Sequence, residues 1–171
     1  AQLPVEQLAA PDGGRVLDAC AAPGGKTGQI LEAFPNARVT ALDLSARRLD
    51  RVRDALRRIG AEAELLQGDA AEPAAWWAGE PFDAILLDVD NGPDGLTRPA
   101  NDALYSLEGL SVAHSALKPG GVLAVWSSDP DAGFTKRLNR SGFPVEDVRV
   151  RANQGRSGGR HVLVFATQPT K

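Results

Sequence analysis

The 171-residue chain has no methionine, a single cysteine and only two histidines. One cysteine excludes an intramolecular disulfide framework and any metal site built from several thiolates. His114 and His161 stand far apart in the sequence, which leaves a zinc enzyme without its usual ligand cluster, and no metal is expected. No apolar run approaches the roughly 18 residues of a membrane-spanning helix. No basic-then-apolar leader opens the chain, so a cytoplasmic protein with no membrane partner is expected. An excess of base is also lacking: the net charge of −3 argues against a protein that coats nucleic acid by charge alone. The chain opens on Ala1, and together with the missing methionines this suggests a trimmed or edited sequence.

What is present is ordinary for one globular domain. Apolar residues make up 43% and charged residues 24%, enough to bury a sizeable core, and a single domain over 1–171 is expected, with 1–13 as an N-terminal segment. The charge is uneven. Residues 1–90 hold 15 acids and 9 bases, whereas residues 91–171 hold 7 acids and 10 bases.

Short β-branched runs alternate with helical patterns. Strands are predicted at 15–19, 37–42, 63–67, 82–88, 122–126, 145–151 and 161–166, and helices at 26–33, 46–59, 70–78, 101–117 and 130–141. Leu49, Val52, Leu56 and Ile59 fall on one face of the second helix, and Gly60 ends it. Five βα units and a terminal hairpin give an α/β fold, a seven-stranded, mostly parallel sheet with helices on both faces. In such sheets a ligand sits outside the carboxyl ends of the strands, at the switch point beside the first strand.

Three residue groups follow the first three strands. The turn Cys20-Ala21-Ala22-Pro23-Gly24-Gly25-Lys26 has paired glycines that let a backbone approach a ligand, ahead of a helix with free N–H groups. It lacks the GxxxxGK[ST] spacing of a phosphate loop. Asp43 ends the second strand, where a carboxylate accepts the two hydroxyls of a ribose. Asp69 follows the third strand and can accept from an adenine amino group or cap a helix. Together they point to a nucleoside cofactor.

Residues 14–88 resemble the cofactor-binding half of the Sun/Fmu-type ribosomal RNA 5-methylcytosine methyltransferases. LDACAAPGGKT carries the likeness, and ALDLS, QGDA and FDAILLD continue it in order. The resemblance implies a Rossmann-like class I methyltransferase fold. It implies S-adenosylmethionine or S-adenosylhomocysteine as the bound small molecule, with Cys20 to Lys26, Asp43, Asp69 and Asp88 lining the site, and RNA as a partner.

In that family the fourth strand runs into Asp-Ala-Pro-Cys and a second cysteine follows the fifth. Here the fourth strand runs into Asp88-Val89-Asp90-Asn91-Gly92-Pro93 and the fifth into Trp126-Ser127-Ser128-Asp129. Carbon 5 of cytosine needs a thiolate on carbon 6 to become nucleophilic, and Cys20 sits in the cofactor turn, so no 5-methylcytosine formation is expected. From Asp88 onward, DVDNGPDGL, ALKPGGVLAVWSS and GRHVLVFA resemble spermidine synthase-like proteins, in which an aspartate after the fourth strand deprotonates the attacking amine. Asp88 and Asp90 are the candidates for that place. The expectation is a cofactor-binding chimera joined near residue 88, with weak or no catalysis, a mobile 88–99 loop and poor packing around strand four. The alternatives are a natural methyltransferase on RNA or a small molecule, or an aminopropyltransferase.

Other features have plainer readings. Arg47, Arg48, Arg51, Arg53, Arg57 and Arg58 read as a solvated helix face with an Asp54–Arg58 pair. Trp76, Trp77 and Trp126 read as packing residues. Arg151, Arg156 and Arg160 flank a glycine-rich loop that could touch phosphate.

Overall fold

The structure is a computed structural model that describes residues 5–88, 102–127, 132–144, 149–153 and 161–170. Its strands are β1 (Arg15–Ala19), β2 (Arg38–Asp43), β3 (Glu64–Gln67), β4 (Phe82–Asp88), β5 (Leu117–Ser127), β6 (Arg149–Asn153) and β7 (His161–Thr167). They form one sheet in the order β3-β2-β1-β4-β5-β7-β6. The first five run parallel, and β7 runs antiparallel to both β5 and β6. The chain therefore reverses its direction of travel across the sheet between β1 and β4.

Both faces are covered because the central strands are apolar on both sides. Ala84 and Leu86 of β4 join one core with Ile30, Leu49, Val52 and Leu56 of α1 (Gly25–Ala33) and α2 (Ala46–Arg58). Ile85 and Leu87 join the other, with Leu110 of α3 (Leu107–Ala116) and Phe134 and Leu138 of α4 (Ala132–Arg140). A fully buried leucine or isoleucine contributes about 1.5–3 kcal/mol. β4 keeps continuous register with β1 from Ala84 to Leu87 and with β5 from Ala84 to Asp88. The one irregularity in its pairing is a bulge against β5 between Phe82 and Ala84, away from residue 88.

α2 shows how local chemistry sets an element. Ser45 caps it, its hydroxyl accepting from the Arg48 N–H at 3.3 Å. Arg57 and Arg58 in the last turn complement the helix dipole. Gly60 then takes a left-handed φ of +66°, open to glycine at little cost. Ile59, expected on the buried face, lies at the helix end and is 59% exposed. The expected Asp54–Arg58 pair is absent among the described ion pairs; Asp50 holds Arg53 instead.

Three further expectations are corrected. The helix expected at 70–78 is only a 3-10 turn, Pro73–Ala75. Asp69 Oδ1 accepts from the Ala71 N–H at 2.8 Å and the Asp69 carbonyl from Trp76 Nε1 at 2.7 Å. These side-chain bonds compete with the helical ladder. α3 begins at Leu107, not at 101, because the Ser106 hydroxyl caps it by accepting from Gly109 N–H at 3.1 Å. β5, expected at 122–126, begins already at Leu117 through a bulge, with Phe82 opposite Leu117 and Ala84 opposite Val122. The first strand of the last hairpin is described over Arg149–Asn153; the expected start at 145, with residues 145–148, 154–160 and the 89–99 part of the expected loop, lies outside the described residues.

Candidate cofactor-binding site

The carboxyl ends of β1, β2, β3 and β4 come together at one edge of the sheet, at the switch point. The β1–α1 turn starts at Cys20, whose φ is +65°, and Ala21 N–H donates to the Leu42 carbonyl of β2 at 2.9 Å. Asp43 then fixes the turn. Its Oδ2 accepts from Ala22 N–H at 3.2 Å and its Oδ1 from Ser45 N–H at 3.2 Å, with the Arg48 guanidinium 3.5 Å away. The Asp43 side chain is almost fully buried. A carboxylate has about four lone-pair positions, and two backbone N–H groups occupy two of them. The remaining capacity matches the two hydroxyls of a ribose.

Cys20, Asp43, Gly68, Asp69 and Leu104 line a small depression that opens to solvent. Thus the three groups that follow the first three strands converge, as their spacing indicated. Asp69 does two things at once: it caps the following turn and it lines the pocket. The donor and acceptor set fits a nucleoside, with carboxylates for the ribose and the amino group and a backbone turn between them. The paired glycines divide their work. A Cβ on Gly25 would meet nothing within 4 Å, whereas one on Gly24 would lie 2.9 Å from the Val52 Cα. Gly25 therefore leaves space beside the turn, and Gly24 is set by its contact with α2.

A second cluster borders the first. The Lys26 ammonium donates to Asp88 Oδ2 and stands 4.5 Å from the Trp126 ring centroid. Asp88 is buried and pairs in register with Trp126. Behind them the Thr27 hydroxyl donates to Asp18 Oδ2 at 2.6 Å. Asp90, the other catalytic candidate, lies outside the described residues. Asp18, Thr27, Arg48 and Trp126 were not anticipated here. Asp18 and Thr27 stand within the LDACAAPGGKT motif, and the helical angle of Arg48 places it beside Ala55, off the fully exposed arc.

Burial pushes the Asp18 carboxyl up to about 7, against the Thr27 hydrogen bond, with Asp88 and Asp43 adding repulsion and Lys26 offsetting part of it. The folded protein thus holds a proton that the unfolded chain, near 3.8, releases earlier. The stability this gives is complete below the unfolded value and is lost as pH rises toward 7, by at most about 4 kcal/mol. Asp18→Asn mimics the protonated carboxyl. Relative to the parent, its melting temperature should fall less between pH 5 and pH 7.5 in a thermal scan. An equal or steeper fall in the variant would contradict the assignment.

The Cys20 thiol is pushed up to about 12, first by burial and then by the neighbouring Asp43 and Asp18 carboxylates. It remains protonated at neutral pH and forms pocket wall rather than a nucleophile.

Residues 5–124 match the family described as 16S rRNA methyltransferase RsmB/F. The chain belongs to this family. A relative named ribosomal RNA small subunit methyltransferase B, from Pseudomonas syringae pv. tomato, is 40% identical over 171 residues, covering 98% of this chain and 38% of its own length. One of the same name from Vibrio cholerae is 39% identical, covering 95% and 41%. The chain thus spans about two fifths of these relatives. Among solved structures, TrmN from Thermus thermophilus matches with a TM-score of 0.72 at 25% identity, over 95% of this chain and 46% of that one. A precorrin-6y C5,15-methyltransferase from Geobacter metallireducens matches at 0.73 and 18% identity, over 96% and 84%, a likeness of fold. S-adenosylmethionine is the cofactor that this family and fold bring. Similarity over 98% of the chain runs across residue 88, so the join between two families expected there, and the likeness to spermidine synthases beyond it, gain no support. No helix among the described residues is long and apolar enough to cross a membrane, and none of their His, Cys, Asp and Glu groups is arranged to hold a metal.

Proposed function

We propose that the chain is the S-adenosylmethionine-binding domain of an RNA methyltransferase. The methyl group goes to a nitrogen or oxygen of RNA, not to carbon 5 of cytosine through a thiolate of this chain. The observation that carries this reading is the convergence of Cys20, Asp43 and Asp69 on one pocket, with the β1–α1 turn tied to Asp43 through the Ala22 N–H and the Lys26–Asp88 pair nearby. Relatives named as ribosomal RNA methyltransferases supply the substrate class.

In this reading Asp43 accepts the ribose hydroxyls and Asp69 the adenine amino group, while Ala21 to Gly25 pass under the rest of the cofactor. The bound cofactor supplies an electrophilic methyl group on a sulfonium. Asp88, whose negative charge Lys26 supports, orients the incoming amine or hydroxyl and receives its proton. Transfer to nitrogen or oxygen requires mainly proximity and alignment. Transfer to carbon 5 requires a thiolate, and the only thiol of this chain is Cys20, protonated up to about 12.

The test is transfer of a tritiated methyl group from the cofactor to small-subunit ribosomal RNA, followed by digestion to nucleosides. Label is expected in an N- or O-methylated nucleoside, unchanged in Cys20→Ser and lost in Asp88→Ala. Label in 5-methylcytidine that disappears in Cys20→Ser would overturn the reading, as would no transfer above a protein-free control.

A further inference from the structure

We propose that the exposed arginine face of α2 is an RNA-docking surface, on which the phosphate backbone of the substrate lies from the rim of the cofactor pocket outward. The proposal rests on the reading that the partner is RNA, and it assigns the surface that holds it.

The helix carries six arginines, two aspartates and no lysine in thirteen residues. Residues 1–90 contain nine bases in all, so two thirds of them stand on this one element within an otherwise acidic half. Leu49, Val52 and Leu56 form the buried side. At 100° per residue, Arg47, Arg51 and Arg58 fall within about 40° of one another, opposite that side, over about 16 Å of helix. All three are exposed, as is Arg57. Only two arginines of α2 have an ion-pair partner among the described residues: Arg53 on Asp50, and Arg48 on Asp43. Arg47 and Arg51, and Arg53 and Arg57, are like charges at i,i+4, an arrangement that destabilises an isolated helix. Asp54 stands in the same exposed arc, about 20° from Arg47 at 100° per residue, yet forms no ion pair with Arg58 among the described residues, and the arginines of this arc outnumber it three to one.

Location and chemistry favour RNA. Arg48 reaches from α2 to Asp43 and to the Ala22 carbonyl at 3.5 Å, so the face begins at the pocket. The planar guanidinium matches phosphate in two-point contact, where lysine offers a point charge. Leu44 and Ile59, at the two ends of the helix, are 46% and 59% exposed, two of the three large apolar side chains left open among the described residues. Base faces can cover such groups while phosphates take the arginines.

The experiment uses a fluorescein-labelled 20-nucleotide single-stranded RNA of mixed sequence, read by anisotropy across a salt series. The triple variant Arg47→Gln, Arg51→Gln, Arg58→Gln should bind about tenfold or more weakly at low salt and lower the slope of log affinity against log salt by about 2, for three lost phosphate contacts. The corresponding triple lysine variant should keep the slope, and Lys136→Gln on α4 should change neither quantity. S-adenosylhomocysteine binding should be unchanged in all of them, which shows that they are folded. Parent-like affinity and slope in the triple glutamine variant would overturn the proposal and leave the face to an acidic protein surface, and so would a parent chain that does not bind the RNA. The arms separate from the methyl-transfer reading: RNA binding lost as expected, with no methyl transfer by the parent, sinks that reading and not this surface.

Discussion

Asp43→Ala should weaken S-adenosylmethionine binding by about 100-fold or more, measured by calorimetric titration against the parent. Two losses combine. The first is direct: charge-assisted hydrogen bonds from two ribose hydroxyls to a buried carboxylate contribute about 1.5–3 kcal/mol each. The second is indirect. Asp43 also accepts from Ala22 N–H and Ser45 N–H and neutralises Arg48, so its removal loosens the β1–α1 turn and leaves buried donors unsatisfied. Asp43→Asn keeps the shape and one carbonyl acceptor and should fall between the two. Parent-like affinity in Asp43→Ala would show that the ribose lies elsewhere.

Gly24→Ala should destabilise the fold by roughly 3 kcal/mol or more and abolish tight cofactor binding with it. Gly24 has a φ of +103°, where an L side chain costs about 1–3 kcal/mol. A Cβ there would also lie 2.9 Å from the Val52 Cα and 3.2 Å from its Cγ1. The Cα belongs to the backbone of α2 and cannot rotate away, so α1 and α2 must separate. At about 2–4 °C per kcal/mol for a domain of this size, the melting temperature should drop by roughly 6–12 °C or more. Gly25→Ala, where a Cβ meets nothing within 4 Å, should leave the melting temperature near the parent's. Equal melting temperatures for the Gly24 variant and the parent would refute the close approach of the two helices.

The sheet was legible because its signals are local. Ile85-Leu86-Leu87 is apolar without interruption because both faces of β4 are covered, and Leu49, Val52 and Leu56 repeat at the helical period because one side of α2 is. The pocket was legible for a topological reason: with parallel strands, residues just after β1, β2 and β3 must emerge on one edge, so Cys20, Asp43 and Asp69 meet there. What stayed hidden depends on contacts distant in sequence. Lys26 and Asp88 were each singled out, but their pairing spans 62 positions and depends on β1 and β4 lying side by side in the sheet. Trp126 read as packing and turned out to face the Lys26 ammonium as well. Asp18 read as part of a strand; its unusual proton affinity comes from the depth at which β1 is buried, which no local pattern encodes. The helix expected at 70–78 failed because side-chain bonds from Asp69 and Trp76 compete with helical ones, and the residue types alone do not rank those energies.

In the proposed reading, the edge of the sheet at β1, β2 and β3 holds the nucleoside of S-adenosylmethionine. Calorimetric titration of the parent chain and of Asp69→Ala with S-adenosylhomocysteine tests it most directly. One site per chain is expected in the parent and clearly weaker binding in Asp69→Ala, with the melting temperature of that variant lowered only slightly. No heat of binding in the folded parent, or equal affinity in the two proteins, would contradict it.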